Sequence, residues 1–193
     1  AMELVDGEPI TDLADARRLS VDDRLELFAQ TCEAVAYAHR QLVVHRDLKP
    51  SNVLVSEDGR VKLLDFGIAR LLSADADDGL TRTGHRVLTP ATAAPEQVRG
   101  EPPTTATDVY ALGGLLYRLL CGALPLDPGL SASALERAVL ETVPAAPSTR
   151  VTPSAAAARG TAETALAKRL RGDLDTICGK ALRKEPERRY GSA

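Results

Sequence analysis

The sequence predicts a mainly α-helical domain carrying one small β-hairpin, and three observations lead there. Leu25, Phe28, Ala29, Cys32, Val35, Ala36 and His39 recur at helical intervals, the spacing that gathers side chains on one face of an α-helix. Residues 108–121 are apolar almost all round, and a helix with no polar face must lie inside the domain. Between these two segments, Glu57-Asp58-Gly59-Arg60 separates two runs of aliphatic residues, the pattern of a two-stranded hairpin.

The remaining elements follow in chain order. The short apolar run from Met2 to Val5 ends at Asp6-Gly7, a turn signal. Ser20, with Asp23 three residues on, has the form of a capping box and predicts the start of the first long helix. Val43-Val44 and Val53-Leu54-Val55 read as short strands flanking a polar loop, and residues 61–64 as the returning strand. A polar, Asp-rich stretch covers residues 73–86. Ser131 or Ser133 caps a further helix that runs to about Thr142. Residues 143–160, rich in Pro and Ala, read as a long loop, and residues 173–183 as another amphipathic helix.

Composition narrows the function classes. The chain has 193 residues, of which 44% are hydrophobic and 26% charged, the profile of a soluble globular domain with a sizeable core. A net charge of −3 argues against nucleic acid and against an anionic membrane surface as partners. The longest apolar run, residues 109–126, is interrupted by Arg118 and contains Gly113, Gly114 and Gly122, too short and broken for a membrane segment. No signal peptide is visible. Cys32, Cys121 and Cys178 are scattered without zinc-ligand spacing and read as reduced core thiols, which places the domain in the cytoplasm.

The residues that carry chemistry form an ordered series. His45-Arg46-Asp47-Leu48-Lys49-Pro50-Ser51-Asn52 is followed by Asp65-Phe66-Gly67, then Ala94-Pro95-Glu96, then Asp108-Val109-Tyr110-Ala111-Leu112-Gly113. In these four motifs the sequence resembles the protein kinase superfamily. The resemblance implies the C-terminal lobe of a kinase fold, with a hinge over residues 1–8, the lobe over residues 9–193 and an activation segment over residues 65–96. Phosphoryl transfer asks a protein mainly for positioning and charge stabilisation. On this resemblance Asp47 accepts or orients the proton of the substrate hydroxyl. Lys49 neutralises charge on the transferring phosphoryl, and Thr89 matches the threonine that bonds both. Asn52 and Asp65 match the oxygen ligands of Mg²⁺, with Mn²⁺ as its substitute. Met2 to Val5 resembles the hinge that holds the adenine of ATP: Met2, Glu3 and Val5 line the ring, backbone groups of Glu3 and Val5 bond it, and Leu54 is its floor.

Other matched positions are structural or regulatory. His45 and Phe66 match the kinase core stack, and Asp108 matches the buried aspartate that fixes the catalytic-loop backbone. Glu96 and Arg189 match a buried ion pair. Arg46 before Asp47, together with Thr81 and Thr83, resembles bacterial receptor-type Ser/Thr kinases switched by autophosphorylation. Residues 170–177 and 184–190 resemble the same bacterial group, whereas Thr92 stands where many members carry Tyr. The chain contains no Gly-rich loop, no strand lysine and no partner Glu helix, all of which the family places before the hinge. The resemblance therefore implies a fragment that lacks its N-terminal lobe, with that lobe, ATP and Ser/Thr-bearing proteins as partners, and inactive when isolated. A pseudokinase scaffold is the alternative, although Asp47, Asn52 and Asp65, which such modules often lose, are present. A small-molecule phosphotransferase would share the catalytic loop but lack the Ala-Pro-Glu motif and its paired arginine.

Overall fold

The computed structural model describes residues 6–65 and 92–193. Near the start of the described chain stands Gly7, whose place no other residue could take without a shift. A Cβ there would sit 2.9 Å from the Val55 carbonyl oxygen. Strand β1 (Glu8–Pro9) follows and leads directly into helix α1 (Ile10–Ala16). Helix α2 (Val21–Arg40) starts at the predicted capping box: Ser20 Oγ accepts from the Asp23 N–H at 3.2 Å, and the Asp23 carboxylate accepts from the Ser20 N–H at 3.1 Å. The buried face of α2 is Val21, Arg24, Leu27, Thr31, Val35 and Ala38. The apolar stripe read from sequence is turned from this face, and Ala29 is exposed.

Arg24 displaces the stripe because its side chain is buried at the centre of the fold. It is 1% exposed and donates to the carbonyls of Ala14 and Ala158 at 2.8 Å and of Leu19 at 2.9 Å, with Asp15 Oδ1 at 2.8 Å.

Strands β2 (Val53–Val55) and β3 (Val61–Leu63) form the hairpin around the 57–60 turn. The small sheet has order β1-β2-β3, all antiparallel, with Pro9 opposite Leu54 and Val53 opposite Leu63. The predicted hairpin thus gains a third, two-residue strand. Val43-Val44 is not a strand in the structure. Leu42 takes a left-handed conformation at φ 60°, and the Val43 N–H is tied back to the Ala38 carbonyl at 3.0 Å, which ends α2 instead.

Helix α3 (Pro95–Arg99) leads to α4 (Thr105–Cys121), the centre of the fold: 12 of its 17 residues are buried. One of its sides packs Leu116, Tyr117 and Leu120 against Leu166, Leu170 and Cys178. The other packs Leu112, Leu115 and Leu119 against Ile10, Leu13, Val35, Val53 and Val55. The carbonyls at the end of α4, where the helical ladder runs out, are taken by a second buried arginine, and the Arg118 carbonyl also accepts from the Gly122 N–H at 2.8 Å. Arg159 donates to Leu120 at 2.7 Å, Leu119 at 2.9 Å and Arg118 at 3.0 Å. Burial and the neighbouring Arg24 charge lower its pKa to about 10.

Ser131 caps α5 (Ala132–Glu141), as one of the two predicted caps. Residues 143–160, expected to be one long loop, contain a 3-10 turn at Pro147–Thr149 and helix α6 (Pro153–Ala157). In both, the proline that reads as a loop residue occupies the first helical turn, where its missing N–H costs nothing. Helices α7 (Glu163–Leu170) and α8 (Asp173–Ala181) complete the domain. Gly113 lets α8 approach α4 closely, since a Cβ there would lie 2.7 Å from Ala181 Cβ. Among the described residues no helix is long and apolar enough to cross a membrane.

Candidate active site

The loop between α2 and β2 carries His45, Asp47, Lys49 and Asn52, and its shape is imposed by Asp108 from α4. The Asp108 carboxylate is 1% exposed and accepts from the His45 N–H at 2.8 Å and the Arg46 N–H at 2.9 Å. His39 Nε2 on α2 reaches the same carboxylate at 2.8 Å. These bonds hold Arg46 at φ 71°, a left-handed conformation that costs a non-glycine residue about 1–3 kcal/mol and persists only when its surroundings enforce it. Gln97 adds a further tie. Its Nε2 donates to the Arg46 carbonyl at 2.8 Å, while its Oε1 accepts from the Ala94 N–H at 3.0 Å. The backbone of this loop is therefore pinned to both α3 and α4.

His45 is buried, and its Nε2 donates to the Leu64 carbonyl at 2.8 Å. Burial lowers the His45 pKa against the opposing pull of Asp108, so at neutral pH the ring is uncharged and serves as a strut between the loop and the end of β3. Asp47 stands out into solvent, its side chain 45% exposed. Lys49 Nζ contacts Asp47 Oδ2 at 2.8 Å, and Asn52 Nδ2 donates to the same oxygen at 3.2 Å and to the Asp47 carbonyl at 2.8 Å. Oδ2 is thus the anchored oxygen, and Oδ1 remains available as an acceptor.

With its amide nitrogen committed to Asp47, Asn52 has its Oδ1 left over. The Leu64 N–H donates to the Asn52 carbonyl at 2.9 Å, extending the β2–β3 ladder by one rung. Asp65 follows immediately, exposed and at φ 49°. Its carboxylate has no hydrogen-bond or ion-pair partner among the described residues. The site therefore presents two hard oxygen donors, Asn52 and Asp65, at one end of the hairpin beside Asp47. That donor chemistry fits a divalent cation of the Mg²⁺ type.

Behind this site lies a buried ion pair. Arg189 Nη1 and Nη2 meet Glu96 Oε1 and Oε2 at 2.7 and 2.8 Å, the bidentate geometry that gives such pairs their strength. Thr107 Oγ1 donates to Glu96 Oε1 at 2.9 Å, and Arg189 also donates to the carbonyls of Arg183, Ala106 and Lys184. Burial, the largest single influence, would raise the Glu96 pKa, but the Arg189 hydrogen bonds and charge, the backbone and Thr107 together outweigh it and hold the carboxyl below its ordinary value.

A family model described as the protein kinase domain matches residues 1–193. The chain belongs to the protein kinase family. It is similar to the serine/threonine-protein kinase PknB of Mycolicibacterium smegmatis, 39% identical over 125 residues that cover 64% of this chain and 20% of the relative. It is also similar to the serine/threonine-protein kinase PknJ of Mycobacterium bovis, 40% identical over 162 residues, 81% of this chain and 27% of the relative. Among solved structures, a point mutant of the Mycobacterium tuberculosis PknI kinase domain matches with a TM-score of 0.63 and 27% identity, covering 99% of this chain and 59% of that one. The chain spans about a fifth to a quarter of the length of these curated kinases. Kinases of this family use ATP, a divalent metal and protein substrates.

The structure brings Asp47, Lys49 and Asn52 into direct contact, adds Asp65 on the adjacent rung, and joins Glu96 to Arg189 and Asp108 to the loop. Leu54 lies on β2, 8% exposed, beside the entering chain at Gly7. Met2, Glu3, Val5, Phe66, Thr81, Thr83 and Thr89 lie outside the described residues. Sequence reasoning missed Gln97 and the role of His39. Gln97 had a faint signal, since it stands three residues after Ala94 at the capping-box spacing. His39 was absorbed into the helical stripe, and only the fold shows that it faces Asp108.

Proposed function

We propose that this chain is the C-terminal lobe of a bacterial protein Ser/Thr kinase, transferring the γ-phosphoryl group of ATP to Ser and Thr hydroxyls of proteins. The observation that carries the reading is the Asp47 carboxylate, anchored through Oδ2 by Lys49 and Asn52 with Oδ1 available. A substrate hydroxyl that donates to Oδ1 is oriented for attack, and Asp47 takes its proton as the new P–O bond forms and the bond from the γ-phosphorus to the bridging oxygen breaks, releasing ADP. Lys49, beside that carboxylate, offsets charge on the transferring phosphoryl, and the family resemblance assigns Thr89 as the threonine that would bond both. Asn52 and Asp65 would hold Mg²⁺, with Mn²⁺ as substitute. When bound, that metal neutralises charge across the nucleotide phosphates. The family resemblance assigns Leu54 as the floor of the adenine site and residues 2–5 as its hinge edge.

The same reading assigns residues 1–8 to the hinge, residues 9–193 to the lobe and residues 65–96 to the activation segment. Arg46 Nε is buried with no partner among the described residues, which supports a role for Arg46 in receiving a phosphate on Thr81 or Thr83. Three free cysteines suit the reducing cytoplasm. The 193 residues hold no Gly-rich loop or strand lysine, so alone they should position ATP too poorly for turnover.

The test is radiolabelled phosphate transfer to a Ser/Thr-rich protein such as casein, by the chain alone and by the chain fused to the N-terminal lobe of M. tuberculosis PknB. Transfer by the fusion and none by the chain alone is expected. A well-folded fusion that binds ATP without transfer would instead favour a pseudokinase scaffold.

A further inference from the structure

A second, larger concavity lies on the opposite flank of α4 from the Asp47 loop. It is an open groove of about 990 Å³ between the end of α5, the 143–147 segment and α8. Its apolar lining includes Leu140, Pro144 and Leu182, and Val143 stands on its edge 82% exposed. Its charge is unbalanced. Arg99, Lys180, Arg183, Lys184 and Arg188 line it, against Glu141, Asp175 and Glu185. Asp175 is already used, accepting from the Ser148 N–H at 3.0 Å and the Ser148 hydroxyl at 2.7 Å.

The cations divide in the same way. Lys184 donates to the Val139 carbonyl at 2.7 Å, and Lys180 lies 4.3 Å from the Tyr190 ring centre. The exposed guanidinium groups of Arg183 and Arg188 make no hydrogen bond or ion pair among the described residues. A second observation points the same way. The backbone N–H groups of Val143, Ala145 and Ala146 donate to nothing among the described residues. Pro144 and Pro147 favour an extended chain at the residues before them, and Ala146 has φ −62° and ψ 139°. The groove thus offers two arginine forks beside an apolar floor, with the carboxylates of Glu141 and Glu185 on its rim.

From this charge complementarity we propose that the groove binds an extended acidic segment of a protein partner, with its carboxylates on Arg183 and Arg188 and its apolar side chains on Val143 and the floor. A nucleic-acid strand suits it less, since Glu141 and Glu185 share the rim and the chain as a whole carries a net charge of −3. This site is separate from the phosphotransfer chemistry, and its test needs no turnover.

The test is fluorescence anisotropy of the 193-residue chain with a labelled short peptide alternating Glu and Val, beside its Ser/Val and Lys/Val counterparts. The Glu/Val peptide should bind saturably, the other two should not, and added salt should weaken it. Arg183→Glu/Arg188→Glu should weaken binding by about tenfold or more. Neither guanidinium holds the fold together, so circular dichroism should be unchanged. Arg60→Glu, on the hairpin turn and 81% exposed, should leave binding intact. No saturable binding of the Glu/Val peptide overturns the proposal. So does equal binding of the Ser/Val peptide, or a double variant that keeps the parental affinity.

Discussion

Removing Glu96 should be among the most damaging single changes in this domain. In Glu96→Ala, Arg189 is left as a cation whose side chain is 0% exposed, with carbonyls around it but no counter-charge. Thr107 loses its acceptor at the same time. Stranding one member of a buried ion pair costs about 3–5 kcal/mol, against a total stability of roughly 5–15 kcal/mol. For a chain of this size that corresponds to a fall of about 6–20 °C in melting temperature. Urea denaturation of parent and variant, followed by circular dichroism, measures the difference. The pH dependence supplies a second reading. Glu96 is held below its ordinary value of 4.5 in the folded state, where burial opposes the shift and the Arg189 bonds and charge, the backbone and Thr107 together outweigh it. Its contribution is therefore present above pH 4.5 and is lost as pH falls through the lower folded value. Glu96→Ala should lose that part of the acid limb. A variant less than about 1 kcal/mol weaker, with the parental acid limb intact, would refute the reasoning.

Two further outcomes follow from charge placement. In the fusion kinase, Thr81 and Thr83 should carry phosphate, and Thr81→Ala/Thr83→Ala should be less active, because Arg46 would lack the anion it awaits. Phosphopeptide mapping that finds both sites empty in fully active enzyme would exclude this. Burial, aided by the Arg189 charge, lowers Lys184 from 10.5 to about 8. Between those values the unfolded chain binds the extra proton, so stability should rise from pH 8 to about 10.5. Lys184→Met should flatten that rise in urea titrations, and an unchanged slope would count against the burial of this amine.

What the sequence disclosed depended on how local the determinant was. The Ser20–Asp23 cap, the 57–60 hairpin turn and the apolar α4 are written in contiguous residues, and they stand where the pattern put them. The face of α2 was misjudged because periodicity treats every arginine as solvent-facing. Arg24 is instead buried by carbonyls contributed from α1, the end of α4 and the end of α6, which no local pattern contains. The Pro- and Ala-rich composition of residues 143–160 reads as a loop, yet proline is equally at home in a first helical turn, where Pro147 and Pro153 stand. At the site, the motif order pointed to Asp47, Asn52 and Asp65. The shape of the loop depends on Gln97, His39 and Asp108, which come from three separate helices, and only Asp108 belongs to a motif that signals it. The 143–147 groove is least legible of all, since it arises where three distant segments leave a gap.

The central claim is that Asp47 is the group that receives the substrate hydroxyl. Its most direct test is Asp47→Asn in the chain fused to an N-terminal kinase lobe, comparing radiolabelled phosphate transfer and ATP affinity with the parent. The substitution keeps the size of the side chain but removes the acceptor charge. Loss of a positioned base lowers turnover by about 10²–10⁴-fold, with nucleotide binding unchanged to within about twofold. Turnover within about tenfold of the parent, in a variant that folds and binds ATP normally, would contradict the account.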